Sequence, residues 1–131
     1  MPKMYFAMKA LIYKNKKILL IKRKEQFKKN KWDVPGGGVK YGENPSAALQ
    51  REVKEETGLI IQPLKPISFW TFYKDKSTQV FGITVLVKPK STKIKIGKEH
   101  SNFKWIYPKD IKKSEVGSGI YKDVKKFFST K

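Results

Sequence analysis

The sequence predicts a single α+β domain over residues 1–131. Three observations carry that reading: apolar, partly β-branched runs that come in pairs, one well-capped helix lying between the pairs, and an amphipathic helix near the end. At 131 residues and 39% hydrophobic content the chain can bury one continuous core. No internal repeat, Ser/Pro-rich linker or low-complexity tract divides it, apart from a Lys-rich C-terminus.

The first pair of strands is read at 4–12 (MYFAMKALI) and 17–22 (KILLIK), with Tyr13 to Lys16 between them as a hairpin turn. The helix comes next. Asn44 can cap it, Pro45 suits the first helical position because its missing N–H would be unpaired there anyway, and Gly58 supplies the left-handed residue that commonly closes a helix. These signals place it at Pro45 to Thr57. A second strand pair is read at 67–73 (ISFWTFY) and 79–88, joined by the charged turn KDKS and ended by Pro89. A short strand at 103–107 (FKWIY) follows. The last element is a helix at 118–128, whose Ile120, Val124 and Phe127 or Phe128 recur at helical spacing.

Composition narrows the function classes. Lys and Arg number 30 against 11 acidic residues, a formal charge of +19, but only Arg23 and Arg51 are arginines and the lysines are dispersed. Dispersed lysine gives solubility and a general attraction for polyanions, whereas a dedicated nucleic-acid surface clusters Lys and Arg among aromatics. RNA is therefore not the favoured partner. With no cysteine there are no disulfides, thiolate metal sites or thiol nucleophiles, which leaves oxygen ligands and His100 for any metal. No apolar run approaches the ~18 residues of a membrane span, and the N-terminus lacks a signal-peptide cleavage site. The expectation is a soluble, cytoplasmic protein with no membrane partner.

Against this basic background, four of the eleven acidic residues fall between Gly42 and Gly58: Glu43, Glu52, Glu55 and Glu56. On the predicted helix Glu52, Glu55 and Glu56 are offset by zero, three and four residues, so they share an arc about 100° wide, beside a Leu49/Val53 stripe that would pack on the sheet. Such like charges repel by a few tenths of a kcal/mol per pair on an exposed helix. Arg51 pairing with Glu55, Lys54 nearby, or a bound divalent cation would each offset this. Just upstream, Pro35 and the glycines Gly36 to Gly38 imply a tight, backbone-exposed loop entering the helix. A loop carbonyl beside carboxylates is a hard oxygen donor set, the kind Mg²⁺ and Mn²⁺ prefer.

The stretch GGVKYGENPSAALQREVKEETGL, Gly37 to Leu59, resembles the signature box of the Nudix hydrolases: Gly37, five residues, Glu43, seven residues, Arg51-Glu52-Val53, one residue, Glu55-Glu56, one residue, Gly58-Leu59. All nine specified positions are filled. The flanking KWDVPGG and EHSNFKWI segments resemble that family too.

The resemblance implies a three-layer α/β/α sandwich with a mixed central sheet, and Mg²⁺- or Mn²⁺-dependent hydrolysis of a nucleoside diphosphate linked to another group. It implies Glu52, Glu55 and Glu56 as metal ligands and catalytic residues, with Glu55 and Glu56 interchangeable as base, and the Gly37 carbonyl as an additional ligand. Glu99, an acid from a later loop, would serve as ligand or base. Glu43 and Arg51 would support the ligands without touching substrate. Arg23 would reach phosphate, and of Trp70, Phe72, Tyr73 and Phe81 on the second strand pair one would stack on a base while most pack in the core, with Trp32 and Trp105 read as packing residues. His100, a lone histidine, reads as a polar surface group and not as the base.

A small nucleotide is the expected substrate, a nucleoside triphosphate or a nucleotide sugar. ADP-ribose is less favoured, because some relatives that cleave it carry a proline about fifteen residues beyond the box, where this chain has Lys74 or Asp75. Removal of pyrophosphate from RNA 5′ ends is an alternative, as is a non-catalytic module that senses nucleotide or RNA, although a sensor needs no full carboxylate set. Homodimers are common in the family, but no segment here marks an interface.

Overall fold

The computed structural model describes residues 1–24 and 31–128. Strand β1 (Lys3–Lys14) turns back into β2 (Lys17–Arg23) through Asn15 and Lys16, whose φ angles of 52° and 67° are both left-handed. Two positive-φ residues make the tight hairpin turn whose twist matches that of its strands. Two short strands follow, β3 (Trp32–Asp33) and β4 (Gly36–Gly38), and then helix α1 (Pro45–Thr57). The long antiparallel pair β5 (Ile61–Asp75) and β6 (Thr78–Pro89) leads to β7 (His100–Ile106), a 3₁₀ turn at Pro108–Asp110 and helix α2 (Ser118–Phe128).

The sheet is mixed. β1 runs parallel to β6, from Lys3 opposite Thr78 to Ile12 opposite Val87, while its other edge holds β4 along the first half and β2 along the second. β5 closes one side, and β3 and β7 both pair with β2. Because side chains alternate along a strand, β1 serves two cores. Met8, Ala10 and Ile12 pack with Leu49 and Val53 of α1 and with Val85 and Val87 of β6. Leu11, between them, packs with Ile18 and Leu20 of β2 and Val124 and Phe128 of α2. The helices thus cover opposite faces, which is the expected three-layer sandwich.

Helix α1 ends as its residues dictate. The Asn44 side chain accepts from the N–H groups of Ser46 and Ala47 at 2.8 and 3.2 Å, and Gly58 (φ 75°) donates its N–H to the Lys54 carbonyl. Three expectations need correction. The strand read from residue 67 starts at Ile61, since Pro63 and Pro66 sit on the sheet's edge strand beside register shifts, where a missing ladder donor is tolerated. The strand read at 103–107 is His100–Ile106. The loop between the first strand pair and the helix contains β3 and β4, too short to show any period.

Candidate active site

The glycine loop and the acidic arc of α1 meet at β4. A Cβ on Gly36 would collide with the Met8 carbonyl of β1, so glycine is what lets this backbone lie so close. A Cβ on Gly37 would lie 2.5 Å from the Glu52 carboxyl, so the absent side chain makes room for that carboxylate against the loop.

Arg51 organises the acids around it. Its Nε donates to Glu43 Oε2 at 2.7 Å and its Nη2 to Glu43 Oε1 at 3.0 Å and to the Gly38 carbonyl at 3.1 Å, while Nη1 reaches Glu52 Oε2 at 3.0 Å and Glu55 Oε1 at 3.4 Å. Hydrogen bonds from Arg51, and then from the Lys40 N–H, hold the Glu43 carboxyl down at about 2. Arg51 is correspondingly held in its charged form, chiefly by Glu43. Of the three offsets proposed for the acidic repulsion, Arg51 is the one visible here.

Glu56 turns the other way. Its Oε1 accepts from the Gly36 N–H at 2.8 Å, and burial pushes its carboxyl up to about 7 despite that hydrogen bond and the nearby Lys9. His100 Nε2 stands 3.9 Å from Glu56 Oε2, beyond hydrogen-bond reach. Burial, and then Arg23, lower the His100 pKa, which favours neutral imidazole. His100 is 5% exposed, so the surface reading of this residue is wrong. It opens β7 opposite Arg23, and that pairing is a long-range fact.

The loop before β7 reaches the site because it is tied to the end of α1. Lys95 N–H donates to the Thr57 carbonyl at 2.8 Å and Gly97 N–H to the Glu56 carbonyl at 3.0 Å, and a Cβ on Gly97 would lie 2.7 Å from the Glu55 carbonyl. This brings Glu99 to the rim, 3.6 Å from Arg23 Nη2. The result is a cleft of about 300 Å³ lined by Glu52, Glu55, Glu56, Lys98, Glu99 and His100.

The residues read as substrate-binding are divided between the two faces of the sheet. Trp70 and Phe72 line a second cavity of about 250 Å³ between the sheet and the start of α2. Tyr73 is three residues from Trp70, and Phe81 pairs with Thr71, so both lie on the opposite face, where Phe81 meets Phe6 at 5.4 Å. Trp32 and Trp105 pack at the margins of the cores, as expected of packing residues. Lys9 and Asp33, unremarked in the sequence, form a 3.0 Å ion pair lining the second cavity. Gly36 stands opposite Lys9 in the β1–β4 register and both members of the pair act electrostatically on Glu56, so the two hollows are neighbours.

Among the described residues, no three acidic or histidine side chains converge as they stand on one ion-sized point. Arg51 draws Glu52 and Glu55 while Glu56 bends to Gly36. The donor set nonetheless fits a hard divalent cation in kind. Carboxylates line one cleft, and the Gly37 backbone lies against Glu52 with no side chain between.

Comparison with known proteins agrees with this architecture. The family model for the NUDIX domain matches residues 6–126. An ADP-ribose pyrophosphatase of Methanocaldococcus jannaschii is 52% identical over 54 residues, 41% of this chain and 32% of the relative. The nucleoside triphosphatase NudI of Escherichia coli is 30% identical over 93 residues, 61% of this chain and 64% of the relative. The chain thus spans about one third and just under two thirds of the lengths of these curated relatives. The crystal structure of a MutT protein from Methanosarcina mazei superposes with a TM-score of 0.82 at 24% identity, covering 98% of this chain and 96% of the other. A family match over nearly the whole chain, on a sandwich whose glycine loop and glutamate helix meet at an open cleft, shows that this protein belongs to the Nudix hydrolase family.

Proposed function

We propose that the protein hydrolyses the pyrophosphate linkage of a small nucleoside diphosphate derivative, a nucleoside triphosphate or a nucleotide sugar, with Mg²⁺ or Mn²⁺ held by Glu52, Glu55, Glu56 and the Gly37 carbonyl. The observation that carries this is the packing of the α1 carboxylates against the side-chain-free loop at an open cleft. The names of the two curated relatives, one a pyrophosphatase and one a nucleoside triphosphatase, lie in the same reaction class.

Bound there, the cation would neutralise phosphate charge and lower the pKa of water. The chain's own residues do the rest. Arg51, anchored by Glu43 and the Gly38 carbonyl, fixes Glu52 and limits the rotamers of Glu55. In the reaction a water oxygen bonds to phosphorus, the bridging P–O bond breaks, and the water gives up a proton. Glu55 and Glu99, each with a side chain 57% exposed at the cleft, are placed to accept it. Arg23, beside Glu99, and Lys98 bring positive charge to the rim for phosphate oxygens. Trp70 offers the base a surface in the neighbouring cavity.

The test is product analysis with each cation against triphosphates, nucleotide sugars, ADP-ribose, dinucleoside polyphosphates and 5′-triphosphorylated RNA. Cleavage of one class, lost in both Glu55→Gln and Glu56→Gln, is the expected result. Binding of nucleotide and metal with no cleavage of anything would overturn the hydrolase reading and leave a binding module.

A further inference from the structure

The hairpin between β1 and β2 sets two positive charges face to face. Lys14 and Lys17 stand directly opposite each other in the antiparallel register, so both side chains leave the same face of the sheet. Like charges at such a cross-strand position are destabilising. Both lysines are half-buried, which removes part of the water that would screen them. Neither meets a carboxylate among the described residues. Lys17 Nζ lies instead 4.9 Å from the centre of the Tyr107 ring, a contact that holds the ammonium in place.

The same two lysines line a cavity of about 330 Å³, at the lower end of the size range of small-ligand pockets. Its other walls are Ser91 and Thr92, just beyond β6, and Trp105 and Tyr107, at and just beyond the end of β7, with Asn15 at the turn. Ser91 Oγ accepts from the Ile60 N–H at 3.0 Å, which fixes the hydroxyl and leaves its proton to donate. No lining residue is acidic, and the three stretches that build the cavity, 1–24, 76–98 and 100–109, contain neither Asp nor Glu. Lysines dispersed along the chain are thus gathered by the fold among aromatic rings.

Ammonium, hydroxyl and amide donors beside ring faces suit a phosphate joined to a base. Phosphate oxygens accept charge-assisted hydrogen bonds from the lysines, and the bound anion offsets the repulsion between them. Indole and phenol rings offer a base a surface to stack on. We propose that this cavity is a second nucleotide-phosphate site, in which Lys14 and Lys17 take the phosphate and Trp105 or Tyr107 the base. Its lining holds no carboxylate for a hard cation or for a general base, so the site binds without cleaving. Lys17 and Arg23 are at opposite ends of β2, which at about 3.3 Å per residue puts the site about 20 Å from the rim of the catalytic cleft. A free nucleotide and one unit of a single-stranded RNA present the same chemistry to it. The site needs no turnover and stands whether or not the cleft hydrolyses a substrate.

The test is a residue-resolved titration. Amide proton–nitrogen correlation spectra are recorded at constant ionic strength, without divalent cation, as AMP or a short oligoadenylate with hydroxyl ends is added. The expected result is saturable shifts at Asn15, Lys16, Lys17, Ser91 and Thr92. In Lys14→Gln and in Lys17→Gln the Kd read from those shifts should rise about 10-fold, the lower end of the range for losing a hydrogen bond to a charged group. Lys122→Gln removes the same charge from α2, which packs on the other face of the sheet, and should leave that Kd within about twofold because salt screens a charge so far away. Tighter binding of AMP makes a free nucleotide the occupant and tighter binding of the oligoadenylate makes it an RNA strand; either upholds the site. No shift at these residues with either probe overturns the proposal, and so do shifts that survive both lysine substitutions. Equal weakening by Lys122→Gln also overturns it, since the binding then belongs to the diffuse field of the whole chain. The spectra of the variants show whether each is folded, and the wild-type map decides without them.

Discussion

Arg51 is the residue on which the acidic cluster turns. Five donors on a planar fork let it hold Glu43 bidentately while still reaching Glu52, Glu55 and the Gly38 carbonyl, geometry that a lysine point charge does not reproduce. The Glu43 end of this network has a pH signature. Its carboxyl titrates at about 2 in the fold against 4.5 for a free side chain, so the stabilisation is complete above about 4.5 and is lost as pH falls from there toward 2. Thermal melts across that range should show Glu43→Gln with a shallower loss of midpoint than the parent; parallel curves would mean the pairing contributes nothing. Gly37 gives a sharper test. Gly37→Ala sets a methyl 2.5 Å from the Glu52 carboxyl, and the displaced carboxylate should lower kcat about 100-fold while circular dichroism stays native. Wild-type turnover in that variant would remove Glu52 from the site.

At the scale of elements, α1 joins stability to chemistry. Leu49 and Val53 are both 0% exposed and lock the helix onto β1 and β6, and that registry aims the acidic arc at β4. Leu49→Ala should cost about 2–5 kcal/mol in urea unfolding, since it removes a fully enclosed side chain and leaves a cavity. Asn44→Ala, which removes the one oxygen that accepts both cap hydrogen bonds, should cost about 1 kcal/mol. A cost for Leu49→Ala near that of the cap would show that the core relaxes around the gap. The helix itself was legible in the sequence because its cap, first-turn proline and terminal glycine are local signals. β3 and β4 were not. With two and three residues, they exist only because β2 and β1 offer edges to pair with.

For the whole molecule, the net charge of +19 acts at long range. A field of this sign draws anionic nucleotides toward the protein, and added salt screens it. Raising sodium chloride from about 50 to 500 mM, where the screening length falls to a few ångströms, should therefore lower kcat/KM for a triphosphate mainly through KM. A kcat/KM indifferent to salt would confine the lysines to solubility. Across the whole fold, the two neighbouring hollows draw on β1, β3, β5, β6, β7, α1, α2 and the loop before β7.

The sequence alone determined the capped helix and the identity of the clustered glutamates, because cap residues and the spaced box are written within a few dozen consecutive positions, and through the resemblance that box carries it implied the family and the sandwich. Tertiary structure decided the rest. It buried His100 against Glu56, hung Glu99 beside Arg23, set Tyr73 and Phe81 on the face away from Trp70, and brought Asp123 from the last helix to Ser68 on β5. Each of these depends on which strand neighbours which and on the phase of side-chain alternation there. Those are properties of chain segments 10 to 76 residues apart, and no local pattern encodes them.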